Sequence, residues 1–208
     1  MPWKPEHPGE LPSLGWVLLD WWADYLPNPR DETKPLIFTD EQAQILLRWY
    51  TIDPKTGGYV YRRGCSRRSK GWGKSPVEAA KCIAEFVGPV RFDGWDADGK
   101  PVGRPWGYSG DPAPWVQVAA VSEDQTDNTY GALRPMIDEG PLAEVIPRTG
   151  EEFIRLPGGG PPGNPEQVRG PGPWPLAPDR GEDPGGVPAR RGGHLPLQQP
   201  ARHAAAWL

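Results

Sequence analysis

The run Arg67-Arg68-Ser69-Lys70-Gly71-Trp72-Gly73-Lys74-Ser75-Pro76 constrains this chain more than any other stretch. It closes on Gly-Lys-Ser, the end of a G-x-x-x-x-G-K-[ST] phosphate loop. Gly73 lets the backbone approach an anion with no Cβ in the way. The amide N–H groups of the loop and of the following helix then point at that anion, helped by the helix dipole. Lys74 is expected at the β- and γ-phosphate oxygens and the Ser75 hydroxyl at Mg²⁺. Behind the loop, Val77, Ala80, Ile83, Ala84 and Val87 recur at helical spacing, and Gly88-Pro89 closes that helix. The full pattern asks for glycine where this chain has Arg68. The local alternative is a basic surface loop ahead of a helix. Gly71, the bases Arg67, Arg68 and Lys70, and the prompt start of an apolar stripe favour the phosphate loop.

At 208 residues the chain has room for one good-sized core. Its formal net charge of −4 gives no whole-molecule attraction to nucleic acid, so any such contact is local. Cys65 and Cys82 match neither a zinc spacing nor a disulfide framework, which points to an intracellular protein. No apolar run is long enough to span a membrane, and the start of the chain is not a signal peptide.

In chain order, residues 1–12 read as an extended Pro-rich lead. Ser13 is placed to cap a helix running to about Leu26 that buries Leu14, Val17, Leu18, Trp21, Trp22 and Tyr25. Pro27-Asn28-Pro29 breaks it. Thr39-Asp40-Glu41-Gln42 is a capping box, predicting a helix from about Asp40 to Thr51 with Ala43, Leu46, Leu47 and Tyr50 buried. A turn at Asp53-Pro54 and Gly57-Gly58 leads to a strand beginning at Tyr59-Val60-Tyr61. Asp93 to Gly99 lacks the ligand positions of a calcium loop and reads as a hairpin around Asp98-Gly99. Trp115 to Val121 is the best candidate for a buried strand. Ser122-Glu123-Asp124-Gln125 then forms a second capping box, opening a helix to about Asp138. Strand, loop, helix, strand, helix is the order of a parallel α/β core. The expected fold is therefore an incomplete α/β P-loop NTPase core, a parallel sheet flanked by helices, over residues 13–157.

Two local ambiguities bear on function. Gln42 completes its own helix cap or reads an adenine edge, and the cap is the local default. Glu123 and Asp124 start a helix or end a Walker B strand, and Ser122 with Gln125 favours the helix start.

Three blocks together, Phe38 to Gln42, Arg67 to Pro76 and Ala119 to Thr126, resemble the N-terminal ATPase part of an actinophage-type terminase large subunit. The resemblance covers about residues 10–157, and in that family the loop's first glycine is often an arginine or lysine. It implies ATP binding by Arg68, Ser69, Lys70, Gly71, Trp72, Gly73, Lys74 and Ser75. It implies also that Gln42 contacts adenine, that Ser75 helps hold Mg²⁺ and that a loop arginine senses the γ-phosphate. The implied activity is ATP-driven DNA packaging in the host cytoplasm. The implied partners are double-stranded DNA, the phage portal and the small terminase subunit, with oligomers formed by the full-length motor.

Residues 158–208 hold eleven Gly and eleven Pro with no Lys, Ile, Phe, Tyr, Ser or Thr. Such a segment buries too little apolar surface to offset its ordering entropy, so it is expected to be a disordered tail. Its arginines, as in Arg190-Arg191, admit a nucleic-acid reading, but a functionless tail is the stronger one. The shift after Leu156-Pro157 suggests a frameshift that replaced the family's Walker B, coupling and nuclease segments. Three functions stay open: the ATPase part of a packaging motor, a nucleotide-binding module without turnover, and a non-functional truncation product. Trp21-Trp22 and Trp49-Tyr50 are the helix faces expected to be left exposed in the last case. Phosphoryl transfer depends on acids that position Mg²⁺ and water, and Glu166, Asp179, Glu182 and Asp183 sit among Pro and Gly with no strand to aim them. Steady-state phosphate release is therefore expected to be very slow. A DNA-stimulated turnover of about 1 s⁻¹ or more would overturn that expectation.

Overall fold

A computed structural model describes residues 4, 7, 9–106, 111, 114–120, 123–146, 150 and 154. Helix α1 spans Gly15–Tyr25, followed by a short hairpin of β1 (Pro27–Asn28) and β2 (Asp31–Pro35). Helix α2 is Asp40–Trp49 and helix α3 is Lys74–Val87. A second hairpin pairs β3 (Arg91–Trp95) with β4 (Pro101–Arg104), and α4 runs over Glu123–Asp138 before a 3₁₀ turn at Pro141–Glu144.

The apolar stripes of the helices meet in one core. Leu14, Leu18, Trp22, Leu46, Leu47, Tyr50, Val77, Ala80, Ile83, Ala84 and Val87 are all buried, as their spacing predicts, whereas Val17 is only half-buried. Trp22 sits where three helices converge. Its ring lies edge-on to Phe38 and Tyr50, with centroids 5.2 and 6.0 Å away, and its Nε1 donates to the Ala80 carbonyl of α3 at 2.9 Å. A buried indole keeps its N–H satisfied in this way while contributing a large apolar area. The Trp21-Trp22 and Trp49-Tyr50 faces are not stranded. Trp21, Trp22 and Tyr50 are buried, and the half-buried Trp49 carries the Lys81 ammonium 4.4 Å from its ring centroid. Among the described residues the most exposed tryptophans are instead Trp16 and Trp115.

The Thr39 capping box forms as the sequence specifies, with the Thr39 hydroxyl accepting from Gln42 N and the Gln42 side chain accepting from Thr39 N. Ser13 acts one step earlier than a standard cap. Its hydroxyl accepts from Gly15 N at 2.9 Å and donates to the Leu47 carbonyl at 2.5 Å, so it also ties α1 to α2. The turn after α2 closes through Asp53, whose backbone N–H and carbonyl bond Gly58 and Gly57. The Asp98-Gly99 hairpin is present, with Asp96 Oδ1 accepting from the N–H groups of Asp98 and Lys100.

The parallel sheet expected of a P-loop NTPase core is not found. The described residues form two antiparallel two-stranded sheets, β1–β2 and β3–β4, and no parallel pair. Tyr59 makes one isolated bridge to Ile52, and the segment leading to the loop has no ladder. Residues 115–120 are not a buried strand either: Trp115 is 64% exposed and none of the six lies in a ladder. A strand is held by hydrogen-bonded neighbours, and an apolar run without one gains nothing from extended pairing. Where the sequence pattern suggested sheet-on-helix packing, helix-on-helix packing buries the apolar faces. Helix α4 appears where the second capping box placed it. Val121, Ser122, most of residues 1–8 and residues 155–208, including Glu166, Asp179, Glu182 and Asp183, lie outside the described residues.

Candidate functional site

Residues 68–75 form a compact turn at the start of α3. Gly71 and Gly73 both take left-handed backbone, with φ of +87° and +94°. At Gly71 a Cβ would meet open space, so the glycine is required by backbone conformation alone. At Gly73 it would also come within 2.9 Å of Gln42 Nε2, so this glycine admits a close neighbour as well. Gly73 is the N-cap of α3 and offers no side-chain cap, which leaves the first-turn N–H groups of a fourteen-residue helix without a capping side chain. Amides in that arrangement favour an anion.

Lys74, the first helical residue, folds back over the loop. Its Nζ donates to the Arg68 carbonyl at 2.8 Å and to the Ser69 carbonyl at 2.9 Å. One ammonium thereby ties the beginning of the loop to its end and stands beside the exposed amides. Ser75 follows in the first helical turn, half-buried, while Ser69 and Lys70 are exposed.

Gln42 is brought to this loop from α2. Its Nε2 donates to the Trp72 carbonyl at 2.9 Å while its Oε1 accepts from Thr39 N at 3.0 Å. The local reading as a cap is correct, and the same amide also positions the residue before Gly73. Sequence reasoning gave no role to Glu41. Its Oε2 accepts from Trp72 Nε1 at 2.8 Å, and its Oε1 lies 3.0 Å from Arg68 Nε. The contact with Trp72 spans 31 residues, which no local pattern signals. The Arg68 guanidinium lies 5.6 Å from the Trp72 ring centroid. Every predicted loop residue and Gln42 thus converge on one place. Glu123 and Asp124 belong to the first turn of α4 and form no strand end.

No cluster of three or more potential metal-ligating side chains exists among the described residues. A concavity of about 220 Å³ lies elsewhere, lined by residues that include Thr56, Tyr59, Arg91 and Phe92. It contains none of the loop residues and no carboxylate, so the chemistry is better placed at the loop.

The architecture defined here is a helix-packed domain bearing a lysine-closed glycine loop at a helix N-terminus. The chain is similar to the Gene 13 protein of Mycobacterium phage L5, 41% identical over 166 residues, which is 68% of this chain and 27% of that protein. It is also similar to the Gene 13 protein of Mycobacterium phage D29, 41% identical over 147 residues, 61% of this chain and 24% of that protein. These similarities mark the chain as phage-encoded. It spans about a quarter of the length of the curated relatives it matches. No protein-family description matches the chain, and no solved structure does. No helix among the described residues is long and apolar enough to cross a membrane.

The Gln42–Gly73 contact is testable by stability. Gly73→Ala should cost about 1–2 kcal/mol from the left-handed backbone, with a further cost from the contact with Gln42. Gln42→Ala should cost about 0.5–2 kcal/mol through the lost cap. Because the second change removes the atom that the first collides with, the losses in the double variant should fall short of additivity by about 0.5 kcal/mol or more. Strict additivity in urea unfolding would contradict the contact.

Proposed function

We propose that this chain carries the ATP-binding part of a phage DNA-packaging motor, a terminase large subunit, with little turnover of its own. The observation that supports the reading is the closure of the loop by Lys74 on the Arg68 and Ser69 carbonyls in front of the uncapped start of α3. A phosphate seated there gains the amides, the helix dipole and a cation together. A lone surface loop has no such closure. The similarity to phage proteins is compatible with the packaging role, and the K-G-W-G-K-S-P and S-E-D-Q-T blocks supply the rest of the argument.

Within this reading Lys74 binds the β- and γ-phosphate oxygens. Gln42 retains one amide hydrogen and one oxygen lone pair beyond its present bonds, enough to contact adenine. Mg²⁺ prefers oxygen ligands and keeps several waters, so the donor set fits it when Ser75 acts alongside the nucleotide's own phosphates. The ion would neutralise charge developing on the phosphates. DNA, the portal and the small subunit are the partners proposed for the complete motor.

The test is thermal unfolding of the full chain with and without Mg-ATP. Ligand at a hundredfold excess over its Kd should stabilise the fold by about 2.7 kcal/mol. Lys74→Ala should abolish the shift, and an equal shift in that variant would exclude the loop as the site.

A further inference from the structure

The concavity between the turn at residues 56–59 and the start of β3 has no part in the phosphate loop, and its walls are firmly held. Tyr59 donates its hydroxyl to the Val90 carbonyl, which ties the turn to β3. The Tyr59 ring also meets the fully buried Tyr50 edge-on, with centroids 5.7 Å apart. Phe92 stands edge-on to Trp95 at 5.0 Å. Gly57, at φ +69°, lies so close to Phe92 that a Cβ would come within 2.6 Å of its ring. The volume of about 220 Å³ is below that of a drug-sized pocket and suits one flat ring with a small substituent.

One charged side chain lines this space. Arg91 lays its guanidinium over the Trp106 ring, 4.3 Å from the centroid. Such stacking engages the face of the guanidinium and leaves its edge donors for other groups. Those donors are poorly used. Nε is buried with no hydrogen-bond partner, and Asp111 lies 3.8 Å from Nη2, beyond hydrogen-bonding distance. Asp111 is taken instead by Arg104, the register partner of Arg91, which also pairs with Asp93 at 3.2 Å. Glu85 of α3 feels the Arg91 charge, but burial raises its carboxyl pKa, and the only ion pair of Arg91 among the described residues is the long one to Asp111. A buried N–H without an acceptor is costly, so an acceptor that reaches it is favoured.

We infer that this concavity is a second binding site, taking a carboxylate carried on a flat apolar ring. The ring packs against Tyr59 and Phe92, whose faces and edges suit an aromatic neighbour. The carboxylate meets the edge of Arg91, where its two oxygens match two parallel N–H groups. The Thr56 hydroxyl accepts from Gly58 N at 3.2 Å and keeps its own hydrogen to donate. A free aromatic acid and the C-terminal aromatic residue of a polypeptide present the same two groups. The inference does not depend on the phosphate-loop reading, because no residue of that loop lines the concavity.

The experiment is an amide-shift NMR titration of the full chain with sodium benzoate, benzamide and N-acetylphenylalanine. Benzoate should bind with a Kd of about 1 mM, the range open to so small a ligand, and shift the amides of residues 56–59 and 90–92. Benzamide has the same shape without the charge and should bind about tenfold or more weakly, a comparison that needs no variant. Arg91→Gln should weaken benzoate by a similar factor. Arg91→Lys keeps the charge without the fork and should fall between, which separates a lost contact from a lost fold. Tighter binding of N-acetylphenylalanine than of benzoate assigns the polypeptide source, and the reverse assigns the free acid. Absence of saturable benzoate binding, shifts confined to other residues, equal binding of benzoate and benzamide, or binding unchanged in Arg91→Gln overturns the inference.

Discussion

The side-chain amide of Gln42 accepts from the Thr39 N–H and donates to the Trp72 carbonyl, so one group both starts α2 and fixes the approach to Gly73. Gln42 is 9% exposed, and a buried amide is costly unless its hydrogen bonds are made. Those bonds leave the loop little freedom relative to α2. The same closeness limits residue 73 to glycine, because a Cβ there would collide with Nε2. From Gly73 the chain enters α3, whose Val77, Ala80 and Ile83 face the core, and Trp22 locks α3 to α1 through the Ala80 carbonyl. The loop is thus presented by packed helices.

That mode of support bears on what the loop can do. A cation at the end of a flexible segment would lose entropy on meeting a phosphate. Lys74, already bonded to two carbonyls across its own turn, has given up much of that freedom beforehand. Arg68 is restrained by the Glu41 ion pair, by its own Nη1 donating to the Arg67 carbonyl at 3.2 Å and by the face of the Trp72 ring.

Much of this was legible in the sequence where the signal is local. The stripes through Leu46 and Tyr50 and through Val77 and Ile83, the Thr39–Gln42 capping box and the Asp98-Gly99 hairpin all rest on contacts a few residues apart. The parallel sheet was not, because pairing depends on partners far along the chain that an apolar run cannot specify alone. Trp115 to Ala120 illustrates the failure: the composition suits a buried strand, but no described segment offers it a ladder. The burial of Trp21 and Trp22 was legible in the stripe of their helix, and the exposure expected of them only in a truncation product is not found, since helices close in space and distant in sequence cover them. Glu41 went unread because its carboxylate acts on Trp72 and Arg68 across the loop, while locally it is only an acid in a helix's first turn.

The central claim, that an anionic ligand seats on the amides and ammonium at the start of α3, is tested most directly by hydrogen exchange of the full chain with and without Mg-ATP. Seating phosphate there should slow exchange of the amides in residues 71–75 and leave those of the β3–β4 hairpin unchanged. Uniform exchange throughout, or protection confined to the concavity near Tyr59 and Arg91, would contradict the account.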